Sequence, residues 1–172
     1  MKHRFEDMKS MAKQKFKENR EFLDFLENLY DEQENEIDDI VYNTVNNISS
    51  EIDCTICGKC CSELKPILDE EDQYRLSEQL QITIEKLQEE HLEYNIYSFK
   101  EPVWHLRHTP CPFLHSKKCT IYEYRPKSCR IFPNLNVSGP DKIRDMVADS
   151  FTCPILFFAI EKLKTRLNFL PE

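Results

Sequence analysis

Apolar residues recur at three- and four-residue spacing along the first third of the chain. Phe5, Met8, Ala12 and Phe16, followed by Phe22, Leu23, Phe25, Leu26, Leu29 and Tyr30, predict an amphipathic helix over residues 5 to 30. Ile37, Ile40, Val41, Thr44, Val45 and Ile48 repeat the period and predict a second helix, and Asn46, Asn47, Ser49 and Ser50 weaken the pattern after it. Stripes of this kind bury against the rest of the chain or dock a partner, and intramolecular packing is the expectation here.

Beyond residue 61 the pattern shortens. Leu64 to Leu68 reads as an extended segment, and Asp69-Glu70-Glu71-Asp72 opens a helix through about Gln79, its first-turn acids suiting the helix dipole. Thr83 is the expected N-cap of a helix over Ile84 to Tyr94, with Ile84, Leu87, His91 and Tyr94 inward. Residues 96 to 108 are rich in aromatic and β-branched side chains and predict a short strand at Val103 to Leu106. Gly139-Pro140-Asp141, flanked by 134 to 138 and 142 to 148, reads as a hairpin or turn. Pro154 suits the first position of a final helix, apolar almost all round from Ile155 to Ile160, with Leu163 and Leu167 continuing its inner face. The fold class expected is therefore mainly α with a small β element, and the division expected is a helical segment over 1–50 followed by a cysteine-bearing domain over 51–172.

Eight cysteines change the picture, because four of them, Cys54, Cys57, Cys60 and Cys61, fall within eight residues. Two-residue gaps let successive sulfurs curl toward one centre, as in tetrahedral zinc sites and iron-sulfur proteins. Gly58 follows Cys57 where a chain wrapping a metal needs positive φ, and the sequence holds only two glycines. Cys60 and Cys61 are adjacent, and neighbouring side chains are expected to diverge. Cys61 then belongs to a second metal site, or one of the pair is a buried or reactive thiol. Cys111, Cys119, Cys129 and Cys153 supply the remaining thiols, enough for two four-sulfur sites or one site with thiols to spare.

At 172 residues, 40% hydrophobic and 31% charged, the chain is long enough to bury a core without metal. No run of residues is apolar enough to cross a membrane, and no secretory signal is apparent, so a cytoplasmic setting is expected. There thiols stay reduced and read as metal ligands or redox groups rather than a disulfide framework. The net charge of −8 argues against nucleic acid as a partner. Charge is uneven, however: residues 21–53 carry eleven acids and no Lys or Arg, whereas Arg107, Lys117, Lys118, Arg125, Lys127 and Arg130 cluster around Cys111, Cys119 and Cys129. Those cations either favour thiolates or form a solvated face, and Arg125 and Arg130 either pair with thiolates and acids such as Asp53 or pin the loop through backbone carbonyls. Phe113, Ile121 and Tyr122 are candidates to exclude water, and Cys153 stands where the dipole of the last helix favours a thiolate. His105, His108 and His115 lie near the thiols as further candidate ligands. No phosphate-binding glycine loop, internal repeat or Ser-His-Asp pattern is present.

The run Cys54-x2-Cys57-Gly58-x-Cys60-Cys61, then Cys111-Pro-Phe-Leu, then Cys119-x-Ile121-Tyr122-x2-Arg125-Pro126-x2-Cys129-Arg130, resembles the CxxCxxCC, or YkgJ-like, cysteine-cluster family over about residues 54 to 153. The resemblance implies a zinc- or iron-chelating module of bacterial type. Cys54, Cys57, Cys60, Cys61, Cys111, Cys119 and Cys129 match the family's cysteines, and Cys153 matches more loosely. A similar module in flagellin lysine N-methylases is associated with an iron-sulfur cluster, which implies as the alternative an iron-sulfur metalloenzyme of redox or group-transfer type. This chain is short for a methylase and shows no methyl-donor site. The metal ion is the expected partner, with zinc or iron, including an iron-sulfur cluster, as cofactor.

Overall fold

A computed structural model describes residues 8–95, 103–133 and 139–171, and no helix among them is long and apolar enough to cross a membrane. The chain forms two compact units, Met1–Asp53 with Pro133–Glu172, and Cys54–Phe132. The fold is mainly helical with small antiparallel sheets, as the hydrophobic pattern predicts. Its grouping differs from a division at residue 50, since the last two helices associate with the N-terminal ones rather than with the cysteine segment.

In the helical unit, α1 (Met8–Gln14) is followed by α2 (Phe16–Glu51), one continuous helix of 36 residues. The expected break after Tyr30 is absent. Residues 31 to 36 interrupt the apolar stripe but contain neither Gly nor Pro, so nothing stops the hydrogen-bond ladder, and the break falls at Lys15. The stripe packs inside the unit: Phe22, Leu26, Ile37 and Val41 are buried along α2, which lies against α8 (Pro140–Asp149) and α9 (Pro154–Arg166). Pro154 takes the first turn of α9 as predicted, and Ile155, Leu156, Ala159, Ile160 and Leu163 are buried. The hairpin expected around Gly139 is instead the start of α8, because Pro140 begins a helix and Ile143, Met146 and Val147 recur at helical spacing on a buried face. Its proposed first arm, 134–138, lies outside the described residues, as do Phe5 and residues 96–102.

A buried cation ties α9 to α2. Lys164 Nζ donates to Glu18 Oε1 at 2.7 Å, to Asn19 Oδ1 at 2.6 Å and to Glu161 Oε1 at 2.7 Å. Lys15 pairs with Glu161 at 2.5 Å and with Glu18 at 3.2 Å. Burial opposes ionisation of Glu18, but hydrogen bonds from Lys164 and Lys15 outweigh it and hold its carboxyl below the usual value of 4.5.

The second unit begins with two short helices, α3 (Cys54–Cys57) and α4 (Lys59–Glu63). A three-stranded antiparallel sheet follows, with β3 (Val103–Leu106) between β1 (Ile67–Leu68) and β2 (Leu92–Asn95). The strand Val103 to Leu106 stands where the sequence predicts it. Helix α5 (Glu70–Leu80) is capped by Asp69, whose side chain accepts from Asp72 N at 2.8 Å, and α6 (Ile84–His91) by Thr83, accepting from Lys86 N at 3.2 Å. Helix α6 stops at His91 rather than Tyr94. The carbonyls of His91 and Leu92 are taken by the Arg107 backbone and guanidinium, and Tyr94 pairs across the sheet with Trp104, ring centroids 4.9 Å apart. Leu68, Leu76, Leu87, Leu92, Leu106 and Phe113 form the core of this unit.

A second hairpin, β4 (Leu114–His115) and β5 (Lys118–Cys119), turns through Ser116 and Lys117, both at positive φ (49° and 66°). This is the mirror-image turn that twisted hairpins favour, built without the usual glycine. The only described close neighbour of comparable backbone freedom is Gly58, at φ 65°, where an added Cβ would stand 3.2 Å from the Lys117 carbonyl oxygen.

Gly58→Ala lowers stability by about 1–2 kcal/mol through left-handed strain, with the Lys117 contact adding to it, whereas Lys117→Gly raises stability by about 1 kcal/mol. Urea unfolding followed by fluorescence of Trp104, the single tryptophan, checks both. Lys164→Ala costs about 2 kcal/mol, the loss from breaking a buried pair reduced because its partners are partly exposed. Because the Glu18 pKa is lowered on folding, its contribution is present above pH 4.5 and lost as pH falls below it. Circular dichroism of urea unfolding should show that acid sensitivity weakened in the Lys164 variant.

Candidate metal centre

The cysteine segments are joined by backbone first. Cys111 N donates to the Cys61 carbonyl at 2.7 Å, linking α4 to the start of the hairpin segment fifty residues on. Helix α3, with Cys54 and Cys57, packs against β5, which ends in Cys119. Gly58 in its left-handed conformation separates α3 from α4 and permits the close approach to Lys117. The positive φ expected of it is thus present. Ser62 Oγ donates to Gly58 O at 2.9 Å, closing this turn.

On these supports four thiols come within reach of the charge of a fifth, Cys61. The Cys60 thiol donates to the Cys61 sulfur, and Cys111, Cys119 and Cys129 each sense the Cys61 charge. The divergence expected of Cys60 and Cys61 is therefore not found. Both lie on α4, where successive residues are turned by about 100° rather than the 180° of a strand, so both sulfurs reach one side. The hydrogen bond from Cys60 lowers the Cys61 pKa to about 7 against the opposing effect of burial, with help from Arg125. The same bond, with burial, raises Cys60. Burial pushes Cys111 up to about 11 and Cys129 to about 12, neighbouring thiolates adding to both, and burial also raises Cys119. Cys111 and Cys119 rest on the hydrophobic core, where Phe113 and Ile121 are buried and shield them from water. Tyr122, at 36% exposed, is outside that shield.

Arg125 serves both roles foreseen for it. Its Nε donates to the Tyr122 carbonyl at 2.7 Å and its guanidinium stacks over the Tyr122 ring at 3.5 Å, yet its charge also reaches Cys61, Cys119 and Cys129. Arg130 approaches Asp72 at 3.9 Å. Cys129 is the third residue of α7 (Lys127–Ile131). The first backbone amide of that helix, Lys127 N, donates to both Asp72 oxygens, at 3.0 and 2.9 Å. Sequence reasoning missed Asp72, treating it as one of four first-turn acids. The one available signal was its spacing three residues before Arg75 on a helix, which is common and points nowhere in particular.

The other candidates are placed as follows. Cys54 is exposed and Cys57 half-buried, both on α3. Cys153 is buried at the N-cap of α9 in the helical unit. His105 is buried in β3 with Nδ1 3.3 Å from the Leu106 carbonyl, while His108 and His115 are exposed. Among the described residues no three ligand-type side chains are already drawn into the shell of one ion. The donors fit a thiophilic ion in kind and number: five sulfurs, an adjacent cation to offset thiolate charge, and an apolar backing.

The profile of the CxxCxxCC family, described as a "putative zinc- or iron-chelating domain", matches residues 53–154, which take in all eight cysteines. No curated protein and no solved structure matches the chain. With well over half of its length matched by that profile, the chain belongs to the CxxCxxCC family.

Proposed function

We propose that the protein binds zinc or iron through thiolates drawn from both cysteine segments, with Cys60, Cys61, Cys111, Cys119 and Cys129 as the core ligand set and Cys54 and Cys57 beside them. The observation that carries this reading is the convergence of four thiols on the Cys61 charge, from α4, β5, α7 and the loop before β4. A thiolate-ligated ion would tie those segments together and make binding part of folding. Cys153 enters the ligand set only through its position inside the family match. A second reading is an iron-sulfur centre serving redox or group transfer. The all-thiol donor set supports it as far as it supports zinc, because an iron-sulfur cluster is likewise held by four cysteines.

Anaerobic purification with elemental analysis and an absorption spectrum tests both. The expected result is about one or two zinc ions, or one iron-sulfur cluster, per chain. Metal-free protein with its thiols paired as disulfides overturns the proposal. Colourless zinc protein supports the first reading, and iron with acid-labile sulfide and a broad visible band supports the second.

Because Cys60, Cys111, Cys119 and Cys129 have raised pKa values, the free thiols are protonated at neutral pH and metal must displace those protons. Cys61, its pKa lowered by the hydrogen bond from Cys60, ionises most readily of the five. Zinc binding at pH 7 to Cys61 and three of the others should therefore release roughly three to four protons, and affinity should rise with pH. Calorimetric titrations in buffers of different ionisation enthalpy measure this number. Cys129→Ser should lower metal content and also speed hydrogen exchange over residues 54–61. Unchanged metal content and unchanged protection would show the two segments to be independent.

A further inference from the structure

The carboxylate of Asp72 is 3% exposed, although it sits in the first turn of a helix whose Asp69, Glu70 and Glu71 are all exposed. Any of those acids satisfies the helix dipole, so the dipole does not explain why this one is buried. Its hydrogen bonds do. Both oxygens accept from Lys127 N, fifty-five residues away, and Oδ1 accepts from Arg75 Nη2 at 2.6 Å. The residue before α7 is Pro126, which has no side chain able to cap it, and Asp72 supplies the missing acceptor from another helix. The same Arg75 Nη2 donates to the Arg125 carbonyl at 2.9 Å. The pair of buried Asp72 and half-buried Arg75 thus holds both ends of Arg125-Pro126-Lys127, the turn that sets Arg125 beside the thiols and starts the helix carrying Cys129. Arg75 Nε is buried without a hydrogen-bond partner among the described residues, so the pair is kept despite a cost that its other contacts offset.

We propose that Asp72, oriented by Arg75, is a positioning residue for the metal centre: it caps the Cys129 helix and fixes the direction from which the Cys129 sulfur and the Arg125 guanidinium meet the other thiols. This rests on the metal-binding reading above. Ser128 Oγ, donating to the Ile67 carbonyl at 2.7 Å, pins the same helix to β1 from its other side, so loss of the cap should release the start of the helix rather than unfold the unit.

The test uses the full-length reduced chain titrated anaerobically with cobalt(II), whose thiolate charge-transfer absorption counts bound sulfurs. Asp72→Ala should weaken cobalt affinity about tenfold or more. Its charge-transfer intensity should fall to that of Cys129→Ser, and the double variant should lose nothing beyond the Cys129→Ser change. Asp72→Asn keeps an acceptor oxygen for Lys127 N and should fall between Ala and wild type. Asp72→Asn also carries the comparison if circular dichroism shows the Ala variant unfolded. Wild-type affinity and spectrum in a folded variant of reduced thermal stability would make Asp72 merely structural and overturn the proposal.

A metal-free readout separates this from failure of the metal reading. Alkylation of the apo chain by iodoacetamide, mapped by mass spectrometry, should be several-fold faster at Cys129 in Asp72→Ala and unchanged at Cys54. If the wild-type chain takes up no cobalt, the metal reading fails. Faster alkylation confined to Cys129 would then still support the positioning role, and equal rates would refute it.

Discussion

The hydrogen bond from Cys111 N to the Cys61 carbonyl, 2.7 Å long, is the contact on which the site depends. It joins two stretches of chain that share no local reason to meet, and it does so at backbone level, where a side-chain change cannot remove it. Nearby, Gly58 eases the approach of the two stretches, since it takes positive φ without strain and a Cβ there would stand 3.2 Å from the Lys117 carbonyl oxygen, tighter than an ordinary contact. The hairpin turn on the other side carries its own strain in Ser116 and Lys117. The strained turn at Ser116 and Lys117 thus stands close to the thiols, and the buried leucine core behind Cys111 and Cys119 offsets its cost.

Bringing thiols together creates an electrostatic problem that the fold leaves open. Each ionised sulfur discourages the next, and burial discourages all of them, so most are held protonated. Cys61 is the exception because Cys60 donates to it and Arg125 faces it. A chain arranged this way has one ready thiolate and several reluctant ones. A cation with a double positive charge would remove the reluctance of all of them at once, which is why the arrangement reads as a binding site rather than as a store of spare thiols.

Elements set by local chemistry were legible in the sequence. Thr83 caps the helix it precedes, the acids from Asp69 to Asp72 open α5, Pro154 opens α9, Gly58 takes positive φ, and β3 occupies Val103 to Leu106. Elements set by distant partners were not. Helix α6 ends at His91 because Arg107 takes its last carbonyls, a contact between residues fifteen or more positions apart. The Gly139-Pro140 pair has the composition of a turn, and only the buried face of Ile143, Met146 and Val147 makes it a helix start. For the site, the spacing of the cysteines named the residues and the two segments to be joined, but not that Cys60 and Cys61 turn the same way, which depends on their place on a five-residue helix.

The basic stretch around the thiols shows the same division between composition and use. In the sequence, Arg107, Arg125 and Arg130 look like a positive surface in an acidic chain. In the fold, the guanidinium of Arg107 serves the carbonyls of Leu92 and Gln88, Arg125 serves Tyr122, and Arg130 leans toward Asp72. Arg75, outside the stretch, holds Arg125 by its own carbonyl. Guanidinium groups suit this work because a planar fork of donors can satisfy carbonyls that end helices and strands without extending either. Arg107 and Arg125, which the sequence offers either as partners of thiolates or as part of a solvated face, are thus largely occupied with backbone, and the charge of Arg125 reaches the sulfurs because its backbone and ring contacts leave it fixed in place.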